Sequence, residues 1–329
     1  MMIDLGLSTV FLCGALLAAF IATNVLNREI ENFTALTVIS KPVPRAIFVL
    51  GKYLGAAAAL VLATIYLSFV FLLVEMHEVQ QTVRDPIHVP VIIFGIGAVF
   101  IGMGAALWCN YFYGKVFSSS ALCFITPLLA LAYFFALMFD PQFNSQSLVE
   151  EFDLQLWLAL IAILMAILVL TAIAIAASTR LGQVMTLCVT LGAFMIGMLS
   201  NHFIGQKMKA MNDTWLERAS IQGLTETITR TRVVELTSGE VNEISEQIEQ
   251  ATVPLIFMAD GLFERLEYVM YWIGYAILPN FQMFWLSDGV TQGHVIPLEY
   301  VALTFIYGPL YILATLCIAV ILFQRREVG

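Results

Sequence analysis

Residues 28–55 read REIENFTALTVISKPVPRAIFVLGKYLG. The stretch joins two long apolar runs, approximately 5–26 and 46–74. It cannot lie in hydrocarbon, because each charge and each unpaired backbone group there costs several kcal/mol. Arg28, Lys41, Arg45 and Lys52 sit close to membrane ends and assign the loop to the cytoplasm. Pro42 and Pro44 stop any preceding helix, since each removes a donor and disfavours helix in the residue before it. Upstream, Glu29 to Ile39 can form a short helix along the membrane surface, and a short helix held by a rigid turn transmits a push better than a flexible loop. Such a compact, charged loop between spans is where a soluble partner would dock.

Working outward, the 329-residue chain is 60% hydrophobic and 12% charged. A soluble domain is about 45–50% apolar and about 25% charged, so the expected fold class is an all-α polytopic membrane protein. Besides the two runs already given, spans are expected at about 89–111, 119–139, 155–177, 181–203 and 299–323, each near the roughly 20 residues that cross a bilayer. Seven transmembrane helices result. None carries a charge in its central portion. The first run lacks the basic leading region of a signal peptide.

Lys115, Arg180 and Arg325-Arg326 each lie beside a span, whereas loop 140–154 has no Lys or Arg. Residues 27–45, 112–118, 178–181 and 324–329 are therefore expected in the cytoplasm. The long connection 204–298 is expected outside, as an extracytoplasmic helical region. Within it, Trp215 to Gln250 is polar, with Ile221, Leu224, Ile228, Val234, Leu236, Val241, Ile244 and Ile248 often three or four apart, which suits helices with one buried face. Ser238-Gly239 would break them. Segment 266–286 is rich in aromatics (Tyr268, Tyr271, Trp272, Tyr275, Phe281, Phe284, Trp285) and interrupted at Pro279-Asn280. Parity leaves no room for an eighth span, so this segment is expected as a re-entrant or interfacial helix pair anchored at headgroup level. The chain thus divides into 1–203, with helices 1–6 and the cytoplasmic loop 27–45, then 204–298, then 299–329 with the last helix.

The loop and its neighbours resemble ABC-2 type permeases, the membrane subunits of ATP-binding-cassette exporters. The resemblance rests on Glu29-Ile-Glu31, Thr34, Ser40-Lys-Pro-Val-Pro-Arg45 and Gly51-Lys-Tyr-Leu-Gly55. It continues at Ala177-Ser-Thr-Arg180, Leu278-Pro-Asn-Phe281 and Phe323-Gln-Arg-Arg-Glu327. It implies a coupling helix in the first cytoplasmic loop that sits in a cleft of a separate ATPase subunit, with Arg28, Glu29, Glu31, Thr34, Lys41, Pro42 and Arg45 as docking residues. Relatives usually carry one more membrane helix before the segment equivalent to 5–26. The small-xxx-small pair Gly51 and Gly55 allows close helix contact.

No Gly-x-x-x-x-Gly-Lys-Ser/Thr cradle occurs, so ATP hydrolysis is expected on the partner chain, with ATP and Mg there and no cofactor on this one. No catalytic or metal-ligand constellation is found, and Cys13, Cys109, Cys123, Cys188 and Cys317 read as small buried hydrophobes. Gly95, Gly97, Gly102 and Gly104 read as helix packing in preference to a transport path. Two functions remain: ATP-driven export of a hydrophobic or amphipathic substrate, and mechanotransmission, in which 204–298 drives an extracytoplasmic protein and nothing crosses. Expected partners are the ATPase subunit, a second permease chain (identical or not) and lipid, in a bacterial inner membrane. Nothing resembles a nucleic-acid-binding face.

Overall fold

The structure, a computed structural model, describes residues 2–31, 44–78, 87–147, 152–235 and 241–324. Ten α-helices occur among them: α1 Met2–Glu31, α2 Arg45–His77, α3 Val89–Tyr113, α4 Phe117–Ala136, α5 Leu154–Ser178, α6 Gln183–Ser200, α7 Gln206–Ile221, α8 Leu262–Ile277, α9 Ser287–Thr291 and α10 Leu298–Gln324. Two strands, β1 Thr225–Glu235 and β2 Val241–Ala251, follow α7. Seven helical stretches are long and apolar enough to cross a membrane: Met2–Thr23, α2, α3, α4, α5, the unbroken α6–α7 stretch Gln183–Ile221, and α10. The protein is therefore an all-α polytopic membrane protein.

Local chemistry sets several boundaries. The Asp153 carboxylate caps α5 by accepting from the Gln155 and Leu156 amides at 2.8 and 3.3 Å. Gly114, at φ 60°, supplies the left-handed residue that ends α3.

Helix α5 is the hub. It packs against α1, α2, α6 and α10, and fifteen of its residues are buried. Lipid tails are as apolar as Leu, so helices in a membrane associate through close packing and not through water exclusion. The sequence provides for this with small residues: Ala15, Ala18 and Ala22 of α1 and Ala159, Ala162 and Ala166 of α5 are all buried. Gly14 lets α1 approach the Ile167 side chain so closely that a Cβ there would overlap it. Among the α3 glycines only Gly102 is tightly abutted, with the Ile125 backbone 3.0 Å from a Cβ position. Gly95 has ordinary contact with Leu73, and Gly97 and Gly104 have nothing within 4 Å. The packing role thus falls on one glycine of the four.

Helix α6 does not stop at the expected membrane edge. A π-helical turn, Asn201–Gly205, leads directly into α7, and the 39-residue stretch is about 58 Å long. That exceeds the roughly 30 Å hydrocarbon core by about 28 Å, so α7 projects as a stalk.

Beyond the stalk the structure differs from expectation. Helix ends at Ile221, and Thr225–Glu235 and Val241–Ala251 form an antiparallel ribbon registered from Thr225↔Ala251 to Glu235↔Val241. The physical reason lies in the composition. Thr225, Thr227, Thr229 and Thr231 recur at period two, with Ile228 between them, and β-branched residues favour the pleated strand over the helix. Ile228 and Ile248, which suggested one helical face, are cross-strand partners. The Ser238-Gly239 break falls outside the described residues.

Candidate functional site

Two places gather polar side chains onto backbone that a membrane helix would leave unsatisfied. The first is the junction at the end of α10. The last carbonyls of any helix have no internal donor and carry the negative end of its dipole. At the end of α10, Arg45 donates to the Gln324 carbonyl at 2.6 Å and Arg180 donates to the Leu322 carbonyl at 2.8 Å. The start of α2 and the turn after α5 therefore meet the end of α10 at one level. The hydroxyls of Ser178 and Thr179 satisfy the last carbonyls of α5, Ile175 and Ala176, at 2.8 and 2.7 Å. Phe48 stacks on Phe323 with centroids 5.5 Å apart, and the Lys52 ammonium lies 5.5 Å from the Phe48 ring.

Of the expected docking residues, Arg28, Glu29 and Glu31 lie on the last turns of α1, so the loop starts after the helix and not within it. Thr34, Lys41 and Pro42 lie outside the described residues. Arg45 opens α2. Gly51 and Gly55 face outward, with no neighbouring atom among the described residues within 4 Å of a Cβ at either.

The second place is the break after α8. At 16 residues α8 is about 24 Å long, short of a full crossing. Its last residues and the turn behind them carry unpaired backbone groups, which are tolerated at membrane depth only where protein covers them. Three tyrosines of α10 meet that need, and one of α8 holds the Asn280 side chain. Tyr311 donates to the Ile277 carbonyl at 2.7 Å, and Tyr307 accepts from the Asn280 amide at 3.0 Å. Tyr300 donates to the Met283 carbonyl at 2.9 Å, and the Asn280 side-chain amide donates to the Tyr275 hydroxyl at 2.7 Å. The chain therefore reaches the level of Tyr311, about 20 Å along an α10 of about 40 Å, and returns to the level of Tyr300.

Phe281 and Phe284 fill the space behind the break and are buried. Phe11 of α1 lies 6.4 Å from Phe281 and 5.9 Å from Trp285, centroid to centroid. Gly197 of α6 admits the turn: a Cβ there would overlap the Phe281 ring and stand 2.6 Å from the Pro279 carbonyl oxygen. Near the outer end of α1, Ser287 donates to Asp4.

A third cluster ties the stalk to α8. Glu264 accepts from the Trp215 indole at 2.9 Å and from the Asp260 amide at 2.5 Å, and both its carboxylate oxygens accept from the Arg218 Nη1 at 3.2 and 3.0 Å. The Trp215 hydrogen bond first, then the Asp260 amide and Arg218, hold the Glu264 carboxyl below its usual range. Trp215 is fully buried and packs on Tyr268 at 4.9 Å.

The tyrosines had a visible signal. Positions 300, 307 and 311 are seven and four apart, one stripe on an otherwise apolar helix. Neither their partners nor the Trp215–Arg218–Glu264 cluster could be read from spacing, because each pairs residues distant in the chain.

These features define a multi-pass helical membrane protein with a junction of helix ends on one side and a helix break held by tyrosines towards the other. Residues 1–183 match the family described as ABC-2 family transporter protein, and the chain belongs to that family. No curated protein and no solved structure matches it. It is accordingly a permease of the ATP-binding-cassette type, a membrane subunit that in this family works with an ABC ATPase and often as a dimer.

Proposed function

We propose that this permease couples ATP hydrolysis on a separate ATPase subunit to export of a hydrophobic or amphipathic substrate. Residues 27–45 are the cytoplasmic docking loop, and 266–286 enter the outer leaflet and return. ATP and Mg stay on the partner chain. The observation that carries this reading is the meeting of Arg45 and Arg180 on the end of α10, because it sets the exit of the docking loop against two other helix ends at one level. The substrate class is supported by the buried polar groups: within the spans they are chiefly Thr and Ser hydroxyls, which offer a charged solute no counter-charge. The test is reconstitution with the ATPase in lipid discs. Stimulation of ATP hydrolysis by amphipathic candidates supports export, and an ATPase rate indifferent to the permease refutes the coupling.

Mechanotransmission has its own support in the stalk, since an unbroken helix from α6 through α7 carries membrane movement to the β-ribbon. The base of the ribbon is closed by the Thr252 amide donating to the Leu224 carbonyl at 2.9 Å, so 225–251 can be excised with the flanking ends already together. Loss of cellular function with an unchanged ATPase favours mechanotransmission, and altered substrate stimulation favours export. No change in either removes the ribbon from both mechanisms.

A further inference from the structure

We propose that α10 is the rod that carries movement of the cytoplasmic loop to the outer break, with Tyr300, Tyr307 and Tyr311 as the positioning residues at its far end. The proposal rests on the docking role of the loop and extends it to a specific route.

The fully buried residues of α10 are Thr304 and Gly308 towards the outside and Ala319 and Phe323 towards the cytoplasm. Gly308 meets the Met165 side chain, 2.5 Å from a Cβ position, and Phe323 stacks on Phe48. Between them Ile312, Leu316 and Val320 are half-buried against the core. These apolar contacts are non-directional and give way to a small axial shift more readily than hydrogen bonds do. Pro309 lies between Tyr307 and Tyr311 and leaves the Phe305 carbonyl without its helical donor, which allows a local bend.

The inner end is coupled to the loop by a side chain on the loop's own exit: Arg45, first residue of α2, holds the Gln324 carbonyl. Arg180 holds Leu322 in the same way. The outer end is coupled by directional bonds of 2.7, 3.0 and 2.9 Å from three phenols to the backbone of 277–283. A slide of about 1 Å lengthens such bonds past the limit at which they count as bonds. The 13 residues from Tyr311 to Gln324 span about 20 Å, so a rigid helix delivers at one end the displacement it receives at the other. Helix α1 also runs from the loop to the break; it meets Phe281 and Trp285 through tilted ring contacts and accepts a hydrogen bond from Ser287 at Asp4, beyond the break. The tyrosines of α10 bond the backbone of the break itself, and their loss releases it in a discrete step.

The experiment uses the permease with its ATPase in lipid discs, in a background lacking the five native cysteines and carrying Gln282→Cys. Labelling by a membrane-impermeant maleimide is compared with and without ATP, alongside ATP hydrolysis. In the parent, ATP should change the labelling rate about fivefold, the equivalent of the roughly 1 kcal/mol net contribution of one hydrogen bond. The Tyr307→Phe, Tyr311→Phe double variant should hydrolyse ATP yet label at one rate in both conditions. Arg180→Gln, at the opposite end, should do the same. Parent hydrolysis with no change in labelling, or an ATP effect that survives in both variants, overturns the relay while leaving the docking loop standing. A parent that leaves the hydrolysis rate unaffected overturns the ATPase-coupled reading and the relay together.

Discussion

Replacing Gly197 by Ala tests whether the outer break is wedged against α6. The added methyl would stand 2.6 Å from the Pro279 carbonyl oxygen, against 3.4 Å where ordinary contact begins, and would also overlap the Phe281 ring. The ring can tilt, but the carbonyl belongs to a backbone pinned by the Asn280 amide bond to Tyr307 at 3.0 Å. Forcing a methyl into a filled site costs about 1–3 kcal/mol. Displacing the turn by most of an ångström forfeits one hydrogen bond, about 1 kcal/mol. Ala gains about 1 kcal/mol over Gly as a helix former. The net expectation is a loss of about 1–3 kcal/mol, summed from these terms. Gly51→Ala is the matched control, since no neighbouring atom among the described residues lies within 4 Å of its Cβ position and only the helix gain remains. The assay is reversible denaturation of the purified permease in mixed micelles, with both variants measured against the parent. Equal behaviour of the two variants, or a stabilised Gly197→Ala, would show that the break does not abut α6 and would refute the placement of 277–283.

The remaining predictions concern charge and sidedness. Because the carboxyl of Glu264 is held below its unfolded value, its contribution is present above the unfolded pKa and is lost as pH falls through the folded one. Acidification should therefore release Trp215, seen as a fluorescence change that Glu264→Gln abolishes; a pH response identical in that variant would place the titrating group elsewhere. Cysteines at Glu267 and Asp288, both exposed, should react from the external face alone, and labelling of the two from opposite faces would make 266–286 a true span. The Glu29→Ala, Glu31→Ala double variant should insert normally and uncouple the ATPase, and normal coupled turnover would count against docking at the end of α1.

The spans were legible because a bilayer imposes one demand, about 20 apolar residues whose backbone is satisfied internally. The α6–α7 stretch shows the limit of that rule: hydrophobicity ends near Phe203, but the helix need not, since water tolerates a polar helix equally well. The ribbon was misjudged because Ile221, Leu224, Ile228 and Ile248 fit a helical face as well as a strand pair, and only the threonine alternation separates the two. The glycine pair at 51 and 55 announced a thin helix face without saying what, if anything, rests on it. Least legible was the break, where Pro279-Asn280 gave the interruption but its stability resides in phenols 20 to 32 residues further along the chain.

The π-helical turn at Asn201–Gly205 has a geometric effect on everything beyond it. Its wide bond, from the Gln206 amide to the Asn201 carbonyl, accommodates one residue more than an α-helical turn does. One residue corresponds to about 100° of rotation about the helix axis. The compass bearing of the stalk is therefore encoded by residue count: the extra residue aims Trp215 and Arg218 at α8, and without it the same side chains would point to one side. A bifunctional thiol reagent that spans the reach of the Arg218–Glu264 pair should join cysteines placed at 218 and 264 in the parent and fail to join them after deletion of a single residue from 201–205. If it joins them equally well in both, the bearing is set by the contacts of the stalk and not by its winding.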